Sequence, residues 1–192
     1  PMSDIARSLS SGFVYQGEPS AFRGGMRGEP SGHLAPTAFI NFLQNHDQIG
    51  NRALGDRLES VADARAIEAA LAVLLIAPGI PMLFMGEEWG SKAPFPFFCD
   101  FGGDLADAVR KGRRVELAWA YAEYGDEVPD ALAASTREAA VLDWDGREAS
   151  AARKRLTLVK DLLKVRREQI LPRLAGAAFG EAHAANNGLL TA

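Results

Sequence analysis

The 192-residue sequence holds a single cysteine, Cys99, so an internal disulfide is excluded. The simplest reading of one thiol is a small packed side chain in a reducing compartment, and a cytoplasmic setting is expected. Histidine is scarce too: only His33, His46 and His183 occur, none in HExxH spacing. No cysteine–histidine pattern suits zinc, so a zinc site is not expected. Long apolar runs are missing. The longest, residues 69–85, is interrupted by Pro78, Gly79 and Pro81 and is too short and broken to span a bilayer. No basic stretch followed by an apolar run opens the chain, so no signal peptide is read there. Positive charge is not in excess, with 21 Lys and Arg against 25 Asp and Glu. A net charge of -4 leaves no electrostatic footprint for nucleic acid and favours a neutral or weakly polar substrate.

What remains is a globular composition, 47% hydrophobic and 24% charged. Residues 11–36 are rich in glycine and proline and read as a long loop carrying Phe22 and Arg23. Residues 37–44 run apolar without alternation, as in a strand buried on both faces of a parallel sheet. Asn45-His46-Asp47-Gln48 follows at once. An alanine- and leucine-rich helix is predicted over 62–75, with Asp63 at its start and Pro78, Gly79 and Pro81 after its end. A second short strand, 82–85, leads into Gly86-Glu87-Glu88-Trp89-Gly90. Two strand–polar cluster units in succession predict a parallel α/β architecture. Residues 91–150 are irregular, with short helices expected at 105–119 and 129–140. A strong amphipathic helix is predicted over 151–170, with Leu156, Val159, Leu162, Leu163 and Val165 inward and its Lys and Arg residues solvated.

Polar groups just past the C-terminal end of a buried parallel strand lie where barrel active sites are built. A carboxylate beside an imidazole there could bind a metal, assist a base or hold sugar hydroxyls. It could equally do no more than fix the loop, and spacing alone leaves these readings open.

Residues 42–47, Phe-Leu-Gln-Asn-His-Asp, resemble the fourth conserved region of the α-amylase superfamily. The longer run from Asn45 through Arg52 and Arg57 to Leu58 is similar to the malto-oligosyltrehalose trehalohydrolase family within it. Phe13-Val14-Tyr15-Gln16-Gly17-Glu18-Pro19-Ser20 and residues 81–90 resemble further stretches of that family in the same order. The resemblance implies a partial TIM (β/α)8 barrel, comprising the last two βα units with insertions and running into a C-terminal β-sandwich. Residues 1–172 would be barrel, with an inserted helical segment at about 91–150, and 173–192 a linker and first strand of the β domain. Both termini read as cut.

The same resemblance implies retaining hydrolysis of the α-1,4 bond next to the terminal trehalose unit of maltooligosyltrehalose, with no cofactor. Asp47 matches the carboxylate that stabilises the transition state. His46, Gln48, Asn51 and Arg52 match substrate-binding positions, and Phe22 and Arg23 lie on a loop that could reach the trehalose side. The nucleophile and acid/base match no residue here: Asp4 falls in a helix, and Glu18 and Glu29 in a loop. The partner implied is an α-glucan, with no nucleic acid and no membrane. Trp89 could stack on a sugar, Glu87 and Glu88 could bind hydroxyls, and Phe95, Phe97 and Phe98 could line a cleft; packing and ion pairing are the simpler readings of each. Two other functions fit: a glucan branching or debranching enzyme of the superfamily, and a non-catalytic carbohydrate-binding barrel.

Overall fold

The computed structural model describes residues 2–185 and 190–191. In chain order it contains α1 (Met2–Ser11), β1 (Gln16–Ser20), β2 (Gly25–Gly28), β3 (Ile40–Asn41), α2 (His46–Gly50), α3 (Leu58–Val61), α4 (Ala64–Ile76) and β4 (Ile80–Pro81). Then follow α5 (Gly103–Glu116), α6 (Ala118–Tyr124), α7 (Ala134–Ala139), α8 (Ser150–Val165), β5 (His183–Ala184) and β6 (Leu190–Thr191). The chain divides into two compact units: Pro1–Asn41 with Val73–Met82 and Asp161–Ala192, and Phe42–Ala72 with Leu83–Lys160.

The first unit carries the parallel pair. Ile40 lies opposite Ile80 and Asn41 opposite Pro81. The amides of Ile80 and Met82 donate to the carbonyls of Phe39 and Asn41 at 2.9 and 2.8 Å. α4 makes the crossover that parallel strands require. It begins where expected: Asp63 Oδ1 accepts from the amides of Arg65 and Ala66 at 3.0 and 3.1 Å, satisfying two of the donors that open a helix.

The strands depart from expectation in length and burial. A 3-10 turn, Pro36–Ala38, occupies the start of the predicted first strand, and the second ladder ends at 81 rather than spanning 82–85. Ile40 is 61% exposed, not buried on both faces. Each strand has one paired edge among the described residues, so an apolar run here signals strand without guaranteeing cover.

Residues 11–36 are not one long loop. β1 and β2 form an antiparallel hairpin, with Glu18 opposite Arg27 and Ser20 opposite Gly25. Pro19 is compatible because this two-stranded ribbon is all edge. The Arg27 guanidinium lies 4.6 Å from the Tyr15 ring centroid, and Arg7 pairs with Glu18. β5 pairs antiparallel with β6, while Gly188, Leu189 and Ala192 of the expected terminal strand lie outside the described residues.

α8 also differs from the simple amphipathic picture. Its buried positions include Ala152, Arg155 and Val159, and Arg166 is buried in the π turn that continues it. Leu163 and Val165 are substantially exposed instead. Two arginines thus sit on the inward face, against the expectation that all were solvated. Arg166 explains itself: within the first unit it donates to the carbonyls of Leu75, Ala77 and Gly79, the last at 2.6 Å. These are acceptors left open by the end of α4.

In the second unit, Ala53, Leu117, Ala120 and Val128 form one apolar cluster, and Trp89, Leu142 and Ala152 another. Gly55, at φ +70°, accepts from the Phe95 amide at 2.8 Å. A Cβ there would land on the Pro96 backbone nitrogen, so this approach requires glycine.

Candidate functional site

Asn45 is extended (φ -144°, ψ 178°), and its Oδ1 accepts from the Gln48 amide at 3.0 Å. That is an N-cap, and it converts the polar quartet into the first turn of α2 rather than a free loop. His46 and Asp47 lie side by side in this turn, His46 Nε2 3.3 Å from Asp47 Oδ1. Both side chains are open to solvent, that of Asp47 74% exposed. An exposed pair of this kind contributes little to stability, so its placement is available for binding rather than spent on the fold.

The end of the turn is held from α5. Arg113 donates from Nη1 to Asn51 Oδ1 at 3.0 Å and from Nη2 to the Gly50 carbonyl at 3.1 Å. Its guanidinium also lies 4.8 Å from the Phe97 ring centroid. Asn51 is therefore engaged in bracing, while Gln48 remains exposed and Arg52 half-buried beside Ala53. The structure brings His46, Asp47, Gln48, Asn51 and Arg52 together on one short segment. Phe22 and Arg23 belong to the first unit, at the tip of its hairpin, where Phe22 is 92% exposed.

The second unit also contains a buried polar group, Gln44, Arg57, Glu59 and Glu87. Gln44 accepts from the Leu58 amide and donates to Glu59 Oε2, both at 3.0 Å. Arg57 has no exposed surface; it donates to the Ala93 carbonyl and, at 2.7 Å, to the Met85 carbonyl. Glu87, equally buried, accepts from the Phe84 amide at 2.9 Å. Burial, reinforced by the nearby Glu59 charge, pushes its carboxyl up to about 7, against the opposing pull of the Phe84 amide and Arg57. The same burial holds the Arg57 guanidinium below its ordinary value.

The residues read as either sugar contacts or packing all make contacts inside the second unit. Glu87 turns inward and accepts from the Phe84 amide, Trp89 packs against Leu142, and Phe95 lies edge-on to Phe84 and Phe98. No motif in the sequence marks Gln44, Arg57 and Glu59 as a group; the only local signal is an arginine and a glutamate flanking Leu58. Arg113 gave none, since it is brought to Gly50 from far along the chain. Among the described residues no group of three or more His, Cys, Asp or Glu side chains could hold a metal ion. None of the described helices is long and apolar enough to cross a membrane.

No protein-family model matches the chain. It is 39% identical to malto-oligosyltrehalose trehalohydrolase of Deinococcus radiodurans over 166 residues, covering 85% of the chain and 28% of that protein. Against the enzyme of the same name from Saccharolobus solfataricus it is 36% identical over 168 residues, with 87% and 28% covered. For that of Brevibacterium helvolum the figures are 38% over 183 residues, 92% and 30%. A crystal structure of a Salmonella typhimurium protein assigned to the alpha amylases superposes with a TM-score of 0.82 at 46% identity, covering 91% of this chain and 29% of that one. The chain thus spans under a third of the length of the relatives it matches. In sequence and in fold, it belongs to the malto-oligosyltrehalose trehalohydrolase family of α-amylase-like glycoside hydrolases.

Proposed function

We propose that this chain serves a protein that hydrolyses the α-1,4-glucosidic bond beside the terminal trehalose unit of maltooligosyltrehalose, releasing trehalose. The observation that carries the reading is the Asn45-capped turn. It presents Asp47 and His46 to solvent, 3.3 Å apart, in the stretch that follows β3. Asp47 stabilises the transition state. As positive charge develops on the ring being cleaved, its carboxylate strengthens its hold on the sugar hydroxyls, so it binds the transition state better than the ground state. His46 donates to the same sugar. Gln48 and Arg52 extend the polar surface, Asn51 keeps the turn in place through Arg113, and Phe22 and Arg23 contact the trehalose side.

The nucleophile and acid/base of this retaining reaction are assigned to no residue of the 192. Residues 1–172 serve as part of a (β/α)8 barrel with an insertion at about 91–150, and 173–192 lead into a β domain. The lone thiol, Cys99, fits a cytoplasmic enzyme. The test is to assay the full-length protein encoded by the gene on maltooligosyltrehalose and on a branched glucan. Release of trehalose from the first supports the proposal; transfer or hydrolysis at branch points alone would replace it with a branching or debranching activity.

A further inference from the structure

α2 is five residues long, too short to hold its own shape: one turn makes few internal hydrogen bonds to set against the cost of nucleating a helix. The Asn45 cap fixes its start locally, but its end is fixed from elsewhere. The last carbonyls of a helix have no partner within it. One of them, that of Gly50, accepts from Arg113, 63 positions downstream. The same guanidinium donates to Asn51 Oδ1 at 3.0 Å, and the Asn51 amide donates to the Asp47 carbonyl at 3.1 Å. Two hydrogen bonds through one residue thus connect Arg113 to the backbone of Asp47. Because the Asp47 side chain is 74% exposed, its direction follows from the turn that carries it and not from packing around it.

Arg113 is itself held in place. It donates to Glu116 Oε2 at 2.8 Å, its guanidinium lies over the Phe97 ring, and its side chain is only 14% exposed. Its charge is thus engaged inside the second unit and not presented to a ligand. The neighbours of Arg113 support the same stretch: Leu117 shares an apolar cluster with Ala53, and a Cβ on Gly50 would stand 3.6 Å from the Phe95 carbonyl oxygen and the Phe97 amide nitrogen. The 91–150 segment therefore meets residues 50–53 at several points. We propose that Arg113 is a positioning residue, through which this segment sets the orientation in which Asp47 meets the sugar. The inference rests on the reading of Asp47 as the group that stabilises the transition state. A shift of about 1 Å in such a group is enough to cost about 10²-fold in rate.

A double-mutant cycle on the full-length protein tests this: parent, Arg113→Met, Asp47→Asn and the two together, assayed for trehalose release from maltooligosyltrehalose. Methionine keeps an apolar stem against Phe97 and loses the donors. Arg113→Met should lower kcat about tenfold to a hundredfold with KM little changed. Arg113→Lys, which keeps one charged donor in place of the fork, should recover part of the loss. In the Asp47→Asn background Arg113→Met should cost less than about threefold, because the charge it positions is already gone. A brace for stability alone would lower the melting temperature and reduce the rate by one factor in both backgrounds. If Arg113→Met does not fold, Arg113→Lys carries the same cycle. Normal turnover by the Arg113 variant, or an equal fall in both backgrounds, would overturn the proposal while Asp47→Asn still shows its own loss. Near-normal turnover by Asp47→Asn would instead sink the reading of Asp47, and the positioning role with it.

Discussion

Arg57 Nη1 donates to the Met85 carbonyl across 2.7 Å, joining the residue just before α3 to the backbone just before Gly86. With Nε on the Ala93 carbonyl, the guanidinium fastens two points of the 83–93 segment to the stretch that follows the Asp47 turn. Arg57→Met should therefore leave two carbonyls unpaired and cost about 3–5 kcal/mol of stability. Arg57→Lys, with one ammonium in place of a fork, should recover less than half. Urea unfolding of the three proteins checks both; a loss under about 1 kcal/mol for Arg57→Met would show that water serves these carbonyls equally well.

Glu87 gives a prediction in pH. Its folded carboxyl sits at about 7, above the ordinary 4.5, chiefly through burial. The folded state thus holds its proton more tightly than the unfolded one. Stability from this group is full below about pH 4.5, falls as pH rises to about 7, and is flat above, a loss of about 3 kcal/mol. Glu87→Gln keeps an acceptor for the Phe84 amide and should remove this slope. The check is denaturant unfolding of both proteins from pH 4.5 to 8; parallel profiles would show that Glu87 stays ionised.

Asp47→Asn in the full-length enzyme should lower kcat and kcat/KM together, with KM little changed. The expected loss is about 3–5 kcal/mol, roughly 10²–10⁴-fold, as for other charge-stabilising groups. Because Asp47 is mostly exposed, melting temperature should hold. Near-normal turnover with a lowered melting point would instead make it a brace for the turn.

Two glycines five residues apart should respond very differently to alanine. Gly55→Ala meets a positive φ and the Phe95–Pro96 backbone, with the Phe95 carbonyl carbon 2.8 Å from the new Cβ; a loss of at least about 2 kcal/mol is expected. Gly50, at a negative φ within α2, has its nearest neighbour at 3.6 Å. Gly50→Ala should stay within about 0.5 kcal/mol of the parent. Thermal unfolding decides; equal costs would mean the 95–97 segment yields.

Much of this was legible in local chemistry. The Asp63 cap, the Pro78–Gly79 stop and the parallel relation of β3 to β4 follow from short-range signals that the chain obeys. The polar quartet lies just past β3, as the sequence indicates, but it opens a helix, which Asn45 does not signal because it suits a loop equally well. The hairpin was hidden because glycine and proline, which disfavour interior strands, are tolerated in a ribbon with no interior. The inward arginines of α8 escaped because a periodicity argument sorts residues by polarity. It cannot see that a guanidinium can be drawn inward by carbonyls elsewhere in the chain.

Arg166 carries a consequence for the order in which the chain assembles. The carbonyls of Leu75 and Gly79 wait for a donor 91 and 87 positions downstream. During synthesis, the close of α4 and the entry to β4 must therefore depend on water until the far end of α8 has emerged. Closing so long a loop costs entropy before any reward arrives, which places this junction among the late, slow events of folding. The turn that leads from α4 into β4 is thus completed by a residue after α8 that has no part in either strand.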